Sequence, residues 1–198
     1  IDGSAAGFTH GLVLTGGNSV IRQLAINRFQ QNGVLIHGQG NNWIAGNFIG
    51  TDVTGMVAKP NGWAALSVES DPGYNIIGTN GDGFEDTNER NVLSGNTLDG
   101  LTILGSKNNR VAGNIVGLNA TGTEVLANER IGIYLSGIAT DNLIGTDANG
   151  LSDELERNVV SGNGGEAGIL FANSPYVAHK VIAGNYIGTD VTGMLAFG

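Results

Sequence analysis

Gly46-Asn47-Phe48-Ile49-Gly50-Thr51-Asp52-Val53-Thr54-Gly55 returns as Gly113-Asn114-Ile115-Val116-Gly117-Leu118-Asn119-Ala120-Thr121-Gly122, and again from Gly184 to Gly193 as GNYIGTDVTG. The repeat starts, near 46, 113 and 184, lie 67 and 71 residues apart. Independent landmarks keep the register: NIIGT from Asn75 is answered by NLIGT from Asn142, and RNVLSGN from Arg90 by RNVVSGN from Arg157. A fixed period of tens of residues is the signature of a solenoid or array, in which each unit buries its apolar face only against its neighbours. The four extra residues of the last copy fall around Gly164 to Ala167 and Asn173 to His179, polar stretches that read as turns.

Each period holds two shorter units that open on alternating apolar residues: Leu12/Leu14, Val34/Ile36, Leu66/Val68, Leu101/Ile103, Ile133/Leu135 and Ile169/Phe171. Alternation is a strand pattern, and no stripe of helical period interrupts it. A second strand is expected around Val20, Ile44, Ile77, Val111, Ile144 and Ile182. A third is expected at segments such as Phe48-Ile49, Val92-Leu93, Ile115-Val116, Val159-Val160 and Tyr186-Ile187. Six three-stranded coils stacked about 4.8 Å apart would rise roughly 29 Å. Asn42, Asn75, Asn109 and Asn142 each precede the second strand by one residue. They read as a structural ladder in which Asn takes left-handed backbone geometry and its amide bonds to the next coil; Lys180 interrupts the series.

Composition agrees with a turn-dense chain. Among 198 residues there are 34 glycines, 3 prolines and no cysteine, so a disulfide framework and thiolate metal sites are excluded. A formal charge of −9 sets the long-range field against nucleic acid and anionic membrane surfaces, and no apolar run is long enough to span a bilayer. No nucleic-acid partner and no membrane insertion are expected.

The ordered set GNxIGTDxTG, NxIGT and RNVxSGN resembles the parallel β-helix repeats of large bacterial extracellular and cell-surface proteins, and the resemblance covers essentially the whole chain. It implies an all-β, right-handed parallel β-helix solenoid and an extracellular or cell-surface location. The same broad fold houses polysaccharide lyases, hydrolases and epimerases, so it supplies no activity by itself.

Chemistry is sought in the coils that depart from the pattern. The loop Asn80-Gly81-Asp82-Gly83-Phe84-Glu85-Asp86 corresponds to Asp147-Ala148-Asn149-Gly150-Leu151-Ser152-Asp153. Both present oxygen side chains at the first, third and seventh positions around a glycine, as calcium loops do. Asn80, Asp82, Asp86, Asp147, Asn149 and Asp153 are therefore the candidate metal ligands, with Ca2+ the ion they would take; the fold itself requires no cofactor. The same residues are also those of solvated turns. Asp52 and Asp190 are matched by Asn119 in the middle copy, which points to Asx turns rather than catalysis.

No clustered acid and base stands out. His10, His37 and His179 fall at different places in the coil, and the NTD, DD, GHG and RxK set of polygalacturonases and the DPHE of alginate epimerases are missing. The aromatic residues Trp43, Trp63, Phe48, Tyr74, Tyr134, Tyr176 and Tyr186 do not recur at one position, as a sugar-binding strip would require. The leading expectation is a non-enzymatic structural or adhesive module, a stiff spacer or filament unit with end-to-end self-association. The competing one is a polysaccharide-binding or polysaccharide-cleaving β-helix. Residues 1–198 are read as one β-helix segment of a longer repetitive chain, cut mid-repeat and without polar caps.

Overall fold

The computed structural model describes residues 1–70, 72–172 and 179–197. It is a right-handed parallel β-helix of six three-stranded coils. The first sheet stacks β1 (Leu12–Leu14), β4 (Val34–His37), β7 (Leu66–Glu69), β10 (Leu101–Leu104), β13 (Ile133–Ser136) and β16 (Ile169–Ala172). The second stacks β2 (Val20–Arg22), β5 (Trp43–Ala45), β8 (Ile76–Gly78), β11 (Arg110–Ala112), β14 (Leu143–Gly145) and β17 (Val181–Ala183). The third stacks β3 (Ala25–Ile26), β6 (Phe48–Ile49), β9 (Val92–Leu93), β12 (Ile115–Val116), β15 (Val159–Val160) and β18 (Tyr186–Ile187). Every pairing between these strands is parallel, and one 3-10 turn, Asp86–Glu89, is the only helical element among the described residues.

The alternation read in the first sheet is the register of the structure: Leu12, Val34, Leu66, Leu101, Ile133 and Ile169 are successive partners. In the second sheet the inward row is Ile21, Ile44, Ile77, Val111, Ile144 and Ile182, so the first strand centres on Ile21 rather than Val20. Val20 pairs with Trp43 and faces out, because a one-residue shift reverses the face. The inward residues of all three sheets merge into one apolar core along the axis. Gly33 sits where the chain enters the first sheet, and a Cβ there would collide with Ile49 Cγ2 and lie 2.8 Å from the Ala65 carbonyl oxygen. That corner admits no side chain without moving the core.

Asparagine amides run up all three corners. Between the first and second sheets, Nδ2–H of Asn42, Asn75 and Asn109 donates to Oδ1 of Asn75, Asn109 and Asn142 at 2.9, 2.8 and 2.9 Å. Between the second and third sheets the series is Asn47, Asn91, Asn114, Asn158 and Asn185, with amide-to-amide distances of 3.0, 2.9, 2.9 and 2.8 Å. Between the third sheet and the next coil it is Asn61, Asn96, Asn128 and Asn163, at 3.0, 3.0 and 2.9 Å.

The left-handed residue at the first corner is not the ladder asparagine but the one before it. Asn18, Asn41, Tyr74, Asn108, Asp141 and His179 have φ from 55 to 62°. Four of these six are Asn or Asp, whose short polar side chains tolerate that region; Tyr74 is bulky and exposed. Tyr74→Asn is expected to stabilise the protein by about 1 kcal/mol, raising Tm by about 2–4 °C in a thermal melt.

Candidate functional site: the acidic loops and neighbouring faces

Among the described residues the coils differ most in the loops at two corners. Coils three and five carry the acidic loops between the second and third sheets. Coils two, four and six carry the Thr-Asp-Val-Thr-Gly type of loop, closed by antiparallel bridges Thr51 to Ala58, Leu118 to Val125 and Thr189 to Ala196. Asp52 Oδ1 accepts the backbone N–H groups of Thr54, Met56 and Val57. Asn119 Oδ1 accepts those of Thr123 and Glu124, and Asp190 Oδ1 those of Thr192, Met194 and Leu195. An amide oxygen and a carboxylate oxygen serve equally in this Asx geometry, which accounts for the interchange of Asp and Asn. The Thr54 hydroxyl bond is the first cause holding Asp52 below the usual carboxylate range. Stacked on one another through Ala120 N–H to Gly55 O and Val191 N–H to Gly122 O, these loops cover the outer face of the third sheet.

In the first acidic loop Asn80 Oδ1 accepts Asp82 N–H, Asp82 Oδ1 accepts Phe84 N–H, and Asp86 accepts the Thr79 hydroxyl and Gly83 N–H. In the second, Asp147 Oδ1 accepts Asn149 N–H, Asn149 Oδ1 accepts Leu151 N–H, and Asp153 accepts the Thr146 hydroxyl and Gly150 N–H. All six sequence-selected oxygen residues thus close their own turns. Among the described residues the convergent acidic group takes two of these six, Asp147 and Asp153, and adds Glu156; their carboxylate oxygens lie within 4.8 Å of one another.

Arg110, on the second sheet of coil four, fills that neighbourhood with positive charge. Its Nη1 lies 2.9 Å from Asp147 Oδ2, and its Nη2 bonds to Glu156, whose side chain is fully buried. At Gly81 of the first loop (φ +73) an added Cβ would collide with Glu156 Oε1 and Arg110 Nη2, so the first loop's backbone lies close over the ion pair that anchors the second. In the first loop Glu89, the counterpart of Glu156, lies 3.5 Å from Arg22 and accepts Asn80 N–H. The oxygen pattern of the loops does not single out Arg22, Glu89, Arg110 or Glu156. The 67-residue spacing of the two glutamates is the signal that could have found them.

The aromatic residues scatter over several faces. Trp43 donates its indole N–H to Gly78 O beneath the Arg22 guanidinium. Phe48 and Tyr186 share the covered outer face of the third sheet, and Tyr74 stands at a corner. Tyr176, like most of the Asn173 to His179 stretch, lies outside the described residues. Trp63 and Tyr134 line a shallow groove of about 200 Å³ on the outer face of the first sheet, with Glu69, Asp99 and Arg130. Trp63 packs edge-on against Phe8 and His10, and burial is the first cause pushing the His10 imidazole down. His37 is exposed opposite Glu69, and His179 approaches Asp141 at 3.6 Å.

No protein-family model matches this chain, and neither curated proteins nor solved structures contain a match to it. Among the described residues no helix is long and apolar enough to cross a membrane.

Removing Arg110 strands the buried Glu156 carboxylate. Arg110→Met is therefore expected to cost about 3 kcal/mol in denaturant unfolding, and Arg110→Met with Glu156→Leu to recover most of it. The Arg110 bond is the first cause holding the Asp147 carboxyl below the usual carboxylate range. The associated stability is complete above the unfolded pKa and is lost as pH falls through the lower folded one, so the stability-against-pH slope below about pH 4 becomes shallower in Arg110→Met. Because Arg110 already pairs with two of the three clustered carboxylates, Tm is expected to be the same in chelator and in excess calcium. A rise with calcium would instead show binding at the carboxylates.

Proposed function

We propose that the chain acts as a structural or adhesive repeat module of a bacterial extracellular or cell-surface protein, a stiff spacer or filament unit that displays loops at fixed intervals. The observation that carries this reading is the regularity of the frame: the six-strand register and the three asparagine ladders pass through successive coils, and no coil gives up its ladder to assemble a catalytic group among the described residues. Parallel stacking with bonded corners resists bending because every coil is tied to both neighbours.

A second reading, a polysaccharide-binding or polysaccharide-cleaving face, draws on the groove of Trp63 and Tyr134, where rings adjoin Glu69, Asp99 and Arg130. Imaging of the native polypeptide discriminates: straight rods lengthening by about 4.8 Å per coil are expected. Compact particles would contradict the spacer reading, and turnover of a uronic-acid polymer abolished by Asp99→Asn would replace it with the enzymatic one.

A further inference from the structure

The stacked threonine-containing loops do not seal the outer face of the third sheet completely. Between loops and sheet lies a cavity of about 340 Å³ walled by Phe48, Val92 and Ile115, rimmed by Thr87 and Thr121, and reached by Arg90. Arg90 Nε–H donates to Gly113 O at 2.8 Å, and Nη2–H to Arg157 O at 3.3 Å. These bonds hold the guanidinium in place without neutralising it, since no carboxylate of the described residues pairs with it. Arg22, Arg28, Arg110 and Arg130, by contrast, each have an acidic partner.

The repeat supplies an internal comparison. Arg157 is the counterpart of Arg90 one period later, and its Nε–H donates to Gly184 O in the same way. Its guanidinium lies 4.2 Å from the centroid of the Tyr186 ring, whose π face meets the charge. At the position of Tyr186, the coil above Arg90 has Ile115, which offers no such face. Burial, then the charge of Arg157, pushes the Arg90 guanidinium down from its ordinary value. A planar cation with N–H groups left over, beside an apolar wall and two hydroxyls, is complementary to a planar anion attached to an apolar body.

We propose that this cavity binds a small organic carboxylate, with the anionic group on Arg90 and the apolar face against Phe48, Val92 and Ile115. The apolar wall argues against inorganic phosphate or sulfate, and the net charge of −9 further disfavours multiply charged anions. The volume suits a ligand of one ring.

The test is an amide-resolved NMR titration of the chain with benzoate, with benzyl alcohol as the neutral analogue and galacturonate as the acid borne on a sugar. Benzoate is expected to shift the amides of Thr87, Asn88 and Thr121 saturably, and benzyl alcohol to bind at least roughly tenfold more weakly, as loss of a charge-assisted bond implies. Whether galacturonate binds more or less tightly than benzoate assigns the acid to a sugar or to a free aromatic acid. Arg90→Gln places at this position the residue type that coil one carries as Gln23, and should weaken benzoate by the same factor while leaving benzyl alcohol unchanged. Thr87→Trp, at an exposed rim position, should fill the cavity and abolish both responses. Absence of benzoate shifts at these amides, equal binding of benzyl alcohol, or undiminished benzoate binding in folded Arg90→Gln would overturn the proposal. Should Arg90→Gln not fold, undiminished benzoate binding in folded Thr87→Trp would do so.

Discussion

The carboxamide of the corner asparagines sets the geometry to which every other part of this molecule conforms. Asn114 Nδ2–H donates to Ile77 O in the coil below and to Asn158 Oδ1 in the coil above, while its own backbone N–H also meets Asn158 Oδ1. Asn96 does the same between Ile49 O and Asn128 Oδ1. A parallel coil must turn sharply three times, and each turn takes backbone groups out of the sheet ladder. Only a short side chain with both donor and acceptor can satisfy them from inside the bend, where water does not reach. Aspartate lacks the donor, and an apolar residue lacks both. The ladders thereby fix coil spacing and register together, and the apolar rows of Ile, Leu and Val follow from that register rather than setting it alone.

With the frame fixed, the main variation among the described residues hangs from two corners. Acidic loops emerge from coils three and five, and threonine-containing loops from coils two, four and six. Loops of each kind meet their counterparts across an intervening coil. The means of contact differ: the acidic loops meet by close approach, with Gly81 over the Arg110–Glu156 pair, whereas backbone bonds from Ala120 and Val191 join the others. A lattice of this kind lets a repetitive chain present two distinct surfaces at a two-coil interval without disturbing its core.

Much of this is legible in the amino-acid sequence, for a physical reason. Inward residues recur at every coil, so the alternation of Leu101/Ile103 and its five counterparts reveals the first sheet, and the Asn42 series reveals one ladder. The other two ladders are hidden inside the very motifs that define the repeat. Asn47, Asn91 and Asn114 belong to the GN and RN pairs, and Asn96 and Asn163 close the SGN runs. In the Asn47 series the spacing alternates, 44 and then 23 residues, because a threonine-containing loop and an acidic loop both fall between Asn47 and Asn91 and neither falls between Asn91 and Asn114. A constant-offset reading passes over such a series. The left-handed residue stands one position before the expected one for a related reason: the bend and the bonding amide are adjacent, and asparagine suits both. The acidic loops are visible as loops, but the role of Arg110 is not, because it comes from a different coil and only stacking brings it to Glu156.

If buried corner amides, more than apolar contact alone, hold the coils in register, then removing one amide must cost far more than an ordinary substitution. Asn114→Leu keeps the size and shape of the side chain while deleting its hydrogen bonds, and its denaturant unfolding against the parent chain decides the matter. A loss of about 3 kcal/mol or more is expected, from several missing bonds and the unmet groups of the coils above and below. A change within about 0.5 kcal/mol, the range of an ordinary surface substitution, would contradict this account of the fold.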